Sequence, residues 1–181
     1  DIGASTGGFT DCSLQNGAKK VFAIDVGYGQ LAWSLRTDPR VINMEKQNIR
    51  TVTAEQIGEL VDFISIDVAF ISLDKVLPVA TNLLKDTGSL VALIKPQFEA
   101  GKENVGKGGI VRDSEIHKEV LHRILHVAYD CGLYTHGLTF SPIKGMEGNI
   151  EFLGYFKKYE EGALTIDDTL IDTVVAEAHS L

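Results

Sequence analysis

The first eleven residues, Asp1-Ile2-Gly3-Ala4-Ser5-Thr6-Gly7-Gly8-Phe9-Thr10-Asp11, make a glycine-rich loop lined by acids. Gly3, Gly7 and Gly8 permit tight turning and close approach of backbone to a ligand. Such a loop joins the first strand of an α/β sheet to its first helix and holds a nucleoside cofactor. Its side chains narrow the choice. A triphosphate loop ends in Gly-Lys-Ser/Thr, whereas this one runs Gly7-Gly8-Phe9-Thr10-Asp11. The dinucleotide spacing Gly-x-Gly-x-x-Gly fails at Ser5. Asp1 and Asp11 repel pyrophosphate but suit an ammonium group, as in the amino acid part of S-adenosylmethionine. Asp25 follows about 20 residues further on, where a carboxylate accepts hydrogen bonds from both ribose hydroxyls. The alternative is that Asp25 only opens the turn Val26-Gly27-Tyr28-Gly29. Taken together, these residues point to an S-adenosylmethionine site.

The elements that must position this loop alternate along the chain. Lys20–Val26 is a short apolar run ending in Asp25 and reads as a buried parallel strand. Gln30–Thr37 has helical character and stops before Asp38-Pro39. Val41–Met44 is a strand, and Thr53–Leu60 a helix with Thr53 as N-cap and Gln56 at the capping-box position. Asp62–Asp67 is a strand that again ends in an acid. A helix follows from about Leu73 to Lys85, closed by Asp86-Thr87-Gly88. Ser89–Ile94 is a strand that delivers Lys95-Pro96.

Phe98–Asp113 then holds four glycines and several charges; a loop this long in a compact domain is usually functional or disordered. Ser114 opens the longest helix, which carries Ile116, Val120, Leu121, Ile124, Leu125 and Ala128 on one face. Tyr134–Phe140 and Ile150–Phe156 are strands joined too closely for a crossover helix, so they pair antiparallel. Thr165–Ser180 is a final amphipathic helix. The predicted fold is α/β: a Rossmann-like methyltransferase fold with a mostly parallel seven-stranded sheet, a final antiparallel hairpin and helices on both faces. Ligands of such sheets bind beyond the carboxyl ends of the strands, where Asp25, Asp67 and Lys95 all fall.

Five stretches together resemble one family: Asp1–Asp11, Asp25–Leu31, Ser65–Leu73, Leu93–Gly101 and Ser141–Phe152. It is the TlyA family, named as hemolysins and related to the FtsJ-type ribose methyltransferases. The resemblance covers nearly the whole chain in order. It implies S-adenosylmethionine-dependent 2′-O-methylation of ribosomal RNA, at cytidines in the best-known members. Ribosomal RNA or ribosomal subunits would be the partner, and the cytoplasm the location. It also implies an upstream RNA-binding domain that this chain lacks, a methyltransferase domain over residues 1–160 beginning inside its first strand, and a helical tail over 161–181. The related enzymes use a Lys-Asp-Lys-Glu constellation. Asp67, Lys95 and Glu151 match three members; the first lysine has no counterpart here. The cofactor residues expected are Asp1, Gly3, Ala4, Ser5, Gly7, Gly8, Phe9, Asp25, Val26, Asn48 and Asp67, with Asn48 placed near the adenine by its position just after the Val41–Met44 strand.

The chemistry asks for these residue types. A ribose 2′-hydroxyl is a poor nucleophile and must lose its proton as it attacks the sulfonium methyl in line. A lysine helps as base or orients the hydroxyl, and Lys95 is the candidate. Asp67 would hold that lysine, and Glu151 would orient the lysines or the ribose. Without the first lysine and an RNA-docking domain, the chain alone is expected to show little or no activity. A small-molecule methyltransferase is the runner-up, and would not require Lys95 and Glu151 at these places.

Bulk properties set outer limits. The 181 residues make one ordinary domain. Hydrophobic content of 44% and charged content of 23% are those of a globular protein. A net charge of −8 argues against a self-sufficient nucleic-acid binder. A membrane-damaging role fits poorly, since the tail helix carries Asp167, Asp168, Asp172 and Glu177 and would be repelled by anionic lipid. Cys12 and Cys131 lack metal-like spacing, and His117, His122 and His126 read as a helix face rather than as metal ligands.

Overall fold

The computed structural model describes residues 1–181. The apolar runs become six strands: β1 (Val21–Ile24), β2 (Val41–Met44), β3 (Val61–Ile66), β4 (Leu84–Ile94), β5 (Tyr134–Phe140) and β6 (Phe152–Lys157). The helices are α1 (Gly8–Gln15), α2 (Trp33–Arg36), α3 (Ala54–Ile57), α4 (Leu73–Leu83), α5 (Pro96–Glu99), α6 (Ser114–Asp130) and α7 (Asp168–Ala178).

The sheet departs from the seven strands expected. A two-stranded parallel sheet, β1-β2, stands beside a four-stranded sheet ordered β3-β4-β6-β5. Strands β3 and β4 are parallel; β6 runs antiparallel to both β4 and β5, so the late hairpin forms as the short connection required. Ile2 alone joins the two sheets, with isolated parallel bridges to Ile24 of β1 and Ile66 of β3. Its amide donates to the Ser65 carbonyl (2.8 Å) and its carbonyl accepts from the Asp67 amide (2.9 Å).

Strand β1 shows how both faces are covered. Successive side chains on a strand point to opposite faces. Val21 and Ala23 pack with Ala4, Leu14, Leu31 and Leu35, beneath α1 and α2. Phe22 and Ile24 join the main core, built from β3, β4, β6, α4, α6 and α7. Leu77, Leu121, Ile124, Phe152, Phe156 and Ile171 are completely buried there, each stabilised by about 1.5–3 kcal/mol relative to exposure. The last helix is thus part of the same core: Ile171, Val174, Val175 and Ala178 of α7 are all buried in it.

Several boundaries differ from expectation for local reasons. Thr53 caps α3 by accepting from the Gln56 amide (3.1 Å), but the helix ends at Gly58, whose left-handed backbone (φ 85°) stops it short of Leu60. Strand β4 begins at Leu84, which pairs with Val61; Lys85–Gly88 are a bulge inside the strand rather than a turn before it, and regular pairing resumes at Ser89. Strand β6 begins at Phe152, so Glu151 lies just before it, although its carbonyl still accepts from the Ser141 amide (2.8 Å).

Candidate active site

The glycine loop is folded against the end of β3. Gly3 has φ 80°, and a Cβ there would lie 2.1 Å from the Asp67 carbonyl oxygen, so only glycine brings the loop this close. Asp1 is held by its carboxylate, which accepts from the Thr10 hydroxyl (2.7 Å) and the Ser65 hydroxyl (3.3 Å). Gly7, also left-handed, caps α1 from beneath Leu35, while Ser5, Gly8 and Phe9 face solvent and Ala4 is buried.

Asp25 lies just past β1. One oxygen accepts from the Ser5 amide (2.6 Å) and the other from the Gly27 amide (2.8 Å). The residue therefore does open the following turn, and it also fastens that turn to the glycine loop. Val26 beside it is exposed. Asn48 follows β2, is exposed, and caps a short 3₁₀ turn by accepting from the Arg50 amide (3.0 Å).

Asp67 and Lys95 leave adjacent parallel strands, β3 and β4, at their carboxyl ends, and this placement brings them together. Lys95 Nζ is 2.5 Å from Asp67 Oδ1, with the lysine side chain 15% exposed and the aspartate 35%. Glu151 is buried and meets neither. Its Oε1 accepts from Gln97 Nε2 (2.9 Å), two residues beyond Lys95. Gly145 lets it in: a Cβ there would lie 2.0 Å from Glu151 Oε1. Gln97 Oε1 is buried with no hydrogen-bond partner.

Two further residues shape the site without having stood out in the sequence. Glu99, at the end of α5, is buried. Its carboxylate accepts from the Ser72 hydroxyl (2.5 Å), the Leu73 amide (2.8 Å) and the Arg123 guanidinium (2.8 Å). It thereby ties the turn after Lys95 to the turn after Asp67. Burial pushes its carboxyl up, against the opposing pull of Ser72, Leu73 and Arg123. Phe70, three residues past Asp67, is 81% exposed and has a left-handed backbone (φ 62°), an uncommon state for a bulky residue. Its ring lies 4.9 Å from that of Phe98. The signal for Phe70 was present as an aromatic in a strand-end loop; nothing local marks Glu99.

The site fits S-adenosylmethionine in its donor set. Asp1, Asp25 and Asp67 cluster around the glycine loop, and carboxylates are the acceptors that an ammonium and a ribose would need.

The strand order, with parallel strands flanking the glycine loop and an antiparallel hairpin at one edge, is that of the methyltransferase-type α/β fold. The N-methyltransferase NodS from Bradyrhizobium japonicum superposes with a TM-score of 0.61 at 15% identity, over 88% of this chain and 84% of its own. Residues 1–158 match the FtsJ-like methyltransferase model, and the chain belongs to that family. It is 44% identical to the 16S/23S rRNA (cytidine-2′-O)-methyltransferase TlyA of Mycobacterium tuberculosis, over 91% of this chain and 62% of that protein. A candidate hemolysin from Lactococcus lactis superposes with a TM-score of 0.91 at 48% identity, over 99% of this chain and 86% of that one. The chain spans 61–65% of the length of the curated relatives it matches.

Proposed function

We propose that the chain is the catalytic part of an S-adenosylmethionine-dependent ribose 2′-O-methyltransferase acting on ribosomal RNA, at cytidine. The observation that carries this is the Asp67–Lys95 ion pair at the ends of β3 and β4, with the glycine loop pressed against Asp67. Bound S-adenosylmethionine would supply an electrophilic methyl group; Asp1, Gly3, Ala4, Ser5, Gly7, Gly8, Phe9, Asp25, Val26, Asn48 and Asp67 are the residues proposed to hold it. Lys95 Nζ, beside Asp67, orients the ribose hydroxyl, which gives up its proton as the methyl is transferred. Asp67 fixes the lysine, and Glu151, held through Gln97, orients the ribose from the third side. Alignment alone can supply several kcal/mol of barrier reduction in such a site, about 7 or more at the upper end.

An RNA substrate is favoured over a small molecule by what surrounds the pair. Lys102, Lys107, Arg112 and Lys144 are exposed on the two loops beside it, and none is paired with a carboxylate. They suit phosphates in a chain that is otherwise acidic. Phe70 offers an open aromatic face on which an unstacked base can lie. A membrane-active role draws no such support; no helix is long and apolar enough to cross a bilayer. Calorimetric titration with S-adenosylmethionine tests the cofactor part: binding is expected, and its absence in well-folded protein would remove the proposal.

A further inference from the structure

Two loops border Lys95 and Glu151: residues 101–112, after α5, and residues 141–151, before β6. Most of their residues are exposed, but Val111 and Asn149 are buried, at 2% and 1% exposure. Asn149 Oδ1 accepts from the Val111 amide (3.0 Å), and its Nδ2 donates to the carbonyls of Gly109 and Met146 (2.9 Å each). One side chain therefore spans both loops.

The other polar group of Val111 is also gripped. Its carbonyl lies 2.9 Å from Nε2 of His117, which is completely buried in the first turn of α6. His117 Nδ1 lies 2.8 Å from Nε2 of His179, the residue that ends α7. A carbonyl only accepts, so Nε2 of His117 carries the hydrogen, Nδ1 is the acceptor, and His179 Nε2 donates. The Phe152 and His117 rings pack at a steep angle of 73°, with centroids 5.6 Å apart. Burial keeps His117 below the usual imidazole range. The Val111 carbonyl and Asp113 oppose this, and His179 reinforces it. A proton on the far nitrogen of His179 leaves its donor in place, whereas a proton on His117 Nδ1 removes the acceptor.

We propose that His117 and Asn149 are positioning residues. They clamp the two backbone polar groups of Val111, so that loops 101–112 and 141–151 form one rigid wall beside Lys95 and Glu151. His179 links that wall to the end of α7. The purpose assigned to the wall, presenting Lys102, Lys107, Arg112 and Lys144 to RNA, rests on the methyltransferase reading; the clamp itself does not.

The test uses full-length protein and two readouts, amide hydrogen exchange in the two loops and methyl transfer to ribosomal subunits. His117→Phe removes the donor and keeps the bulk, while His117→Gln keeps a donor near the Nε2 position. Exchange at Gly106, Gly109 and Val111 should quicken about tenfold or more in His117→Phe, the effect of stranding a buried carbonyl, and much less in His117→Gln. His179→Ala, at an exposed site, should quicken the same amides without unfolding α7. S-adenosylmethionine affinity should hold while KM for ribosomal subunits rises in His117→Phe and recovers in His117→Gln. Unchanged loop exchange in His179→Ala and equal behaviour of the Phe and Gln variants would overturn the clamp. Quickened exchange in a protein that methylates no RNA would uphold the clamp and overturn the functional reading instead.

Discussion

Replacing Glu99 should separate fold stability from site geometry, because this carboxylate is the one buried link between the turns that carry Asp67 and Lys95. Its side chain is 2% exposed and accepts three hydrogen bonds. In Glu99→Ala the Leu73 amide, on a residue only 1% exposed, loses its partner, at a cost of about 1–3 kcal/mol. The charge-assisted bond from Arg123 is also lost, but Arg123 is 40% exposed and regains water, which discounts that part. The net loss is about 3 kcal/mol, or a melting temperature lower by about 6–12 °C in a domain of this size. Glu99→Gln keeps the volume and one acceptor and should lose about 1 kcal/mol.

The pH dependence gives a second handle on the same residue. Burial raises the Glu99 carboxyl above 4.5 in the folded state, so the folded chain binds this proton more tightly than the unfolded one. Its contribution to stability is complete below pH 4.5 and is lost as pH rises through the folded value. The stability difference between wild type and Glu99→Gln should therefore change across that window. Denaturant titrations at a series of pH values, run beside a methyl-transfer assay on full-length protein, measure both effects. Equal melting temperatures for wild type and Glu99→Ala, or pH curves for Glu99→Gln parallel to wild type, would show that Glu99 does not link the two turns.

Three further outcomes follow from the geometry. Gly145→Ala should push Glu151 aside, since the new Cβ falls 2.0 Å from its carboxylate, and lower the methylation rate about tenfold or more with cofactor binding retained, as rate and calorimetric measurements would show. Asp25→Ala should free both the Ser5 and Gly27 amides and weaken S-adenosylmethionine binding by about tenfold or more in the same titration. His117 sits below the usual 6.5 because it is buried, so its contribution to stability is present above pH 6.5 and lost as pH falls through the folded value; thermal melts should show that loss in wild type and a flatter curve in His117→Gln.

The parts of this site that could be read from the sequence are those set by local pattern. Asp25, Asp67 and Lys95 each end a short apolar run, and the structure puts each at the carboxyl end of a strand. The span Tyr134–Phe140 and its antiparallel pairing follow from strand character and a short connection. Ile2 bridges Ile24 and Ile66, in keeping with a domain that begins inside its first strand. What escaped depends on contacts between distant residues. The bulge at Lys85–Gly88 looks like a turn locally, and only pairing of Leu84 with Val61 makes it part of β4. Glu99, Asn149 and His117 are polar residues whose partners lie 24 to 62 positions away or are backbone groups of loops, so composition gave no hint that they would be buried.

Lys95, held by Asp67, is proposed to serve methyl transfer to a ribose oxygen. This role is tested most directly by mapping methyl groups in ribosomal RNA after incubating ribosomal subunits with full-length protein and labelled S-adenosylmethionine, for wild type and Lys95→Ala. Wild type should label a ribose 2′-oxygen, and Lys95→Ala should lose that label while cofactor binding persists. Label on a base, or full labelling by Lys95→Ala, would contradict that role.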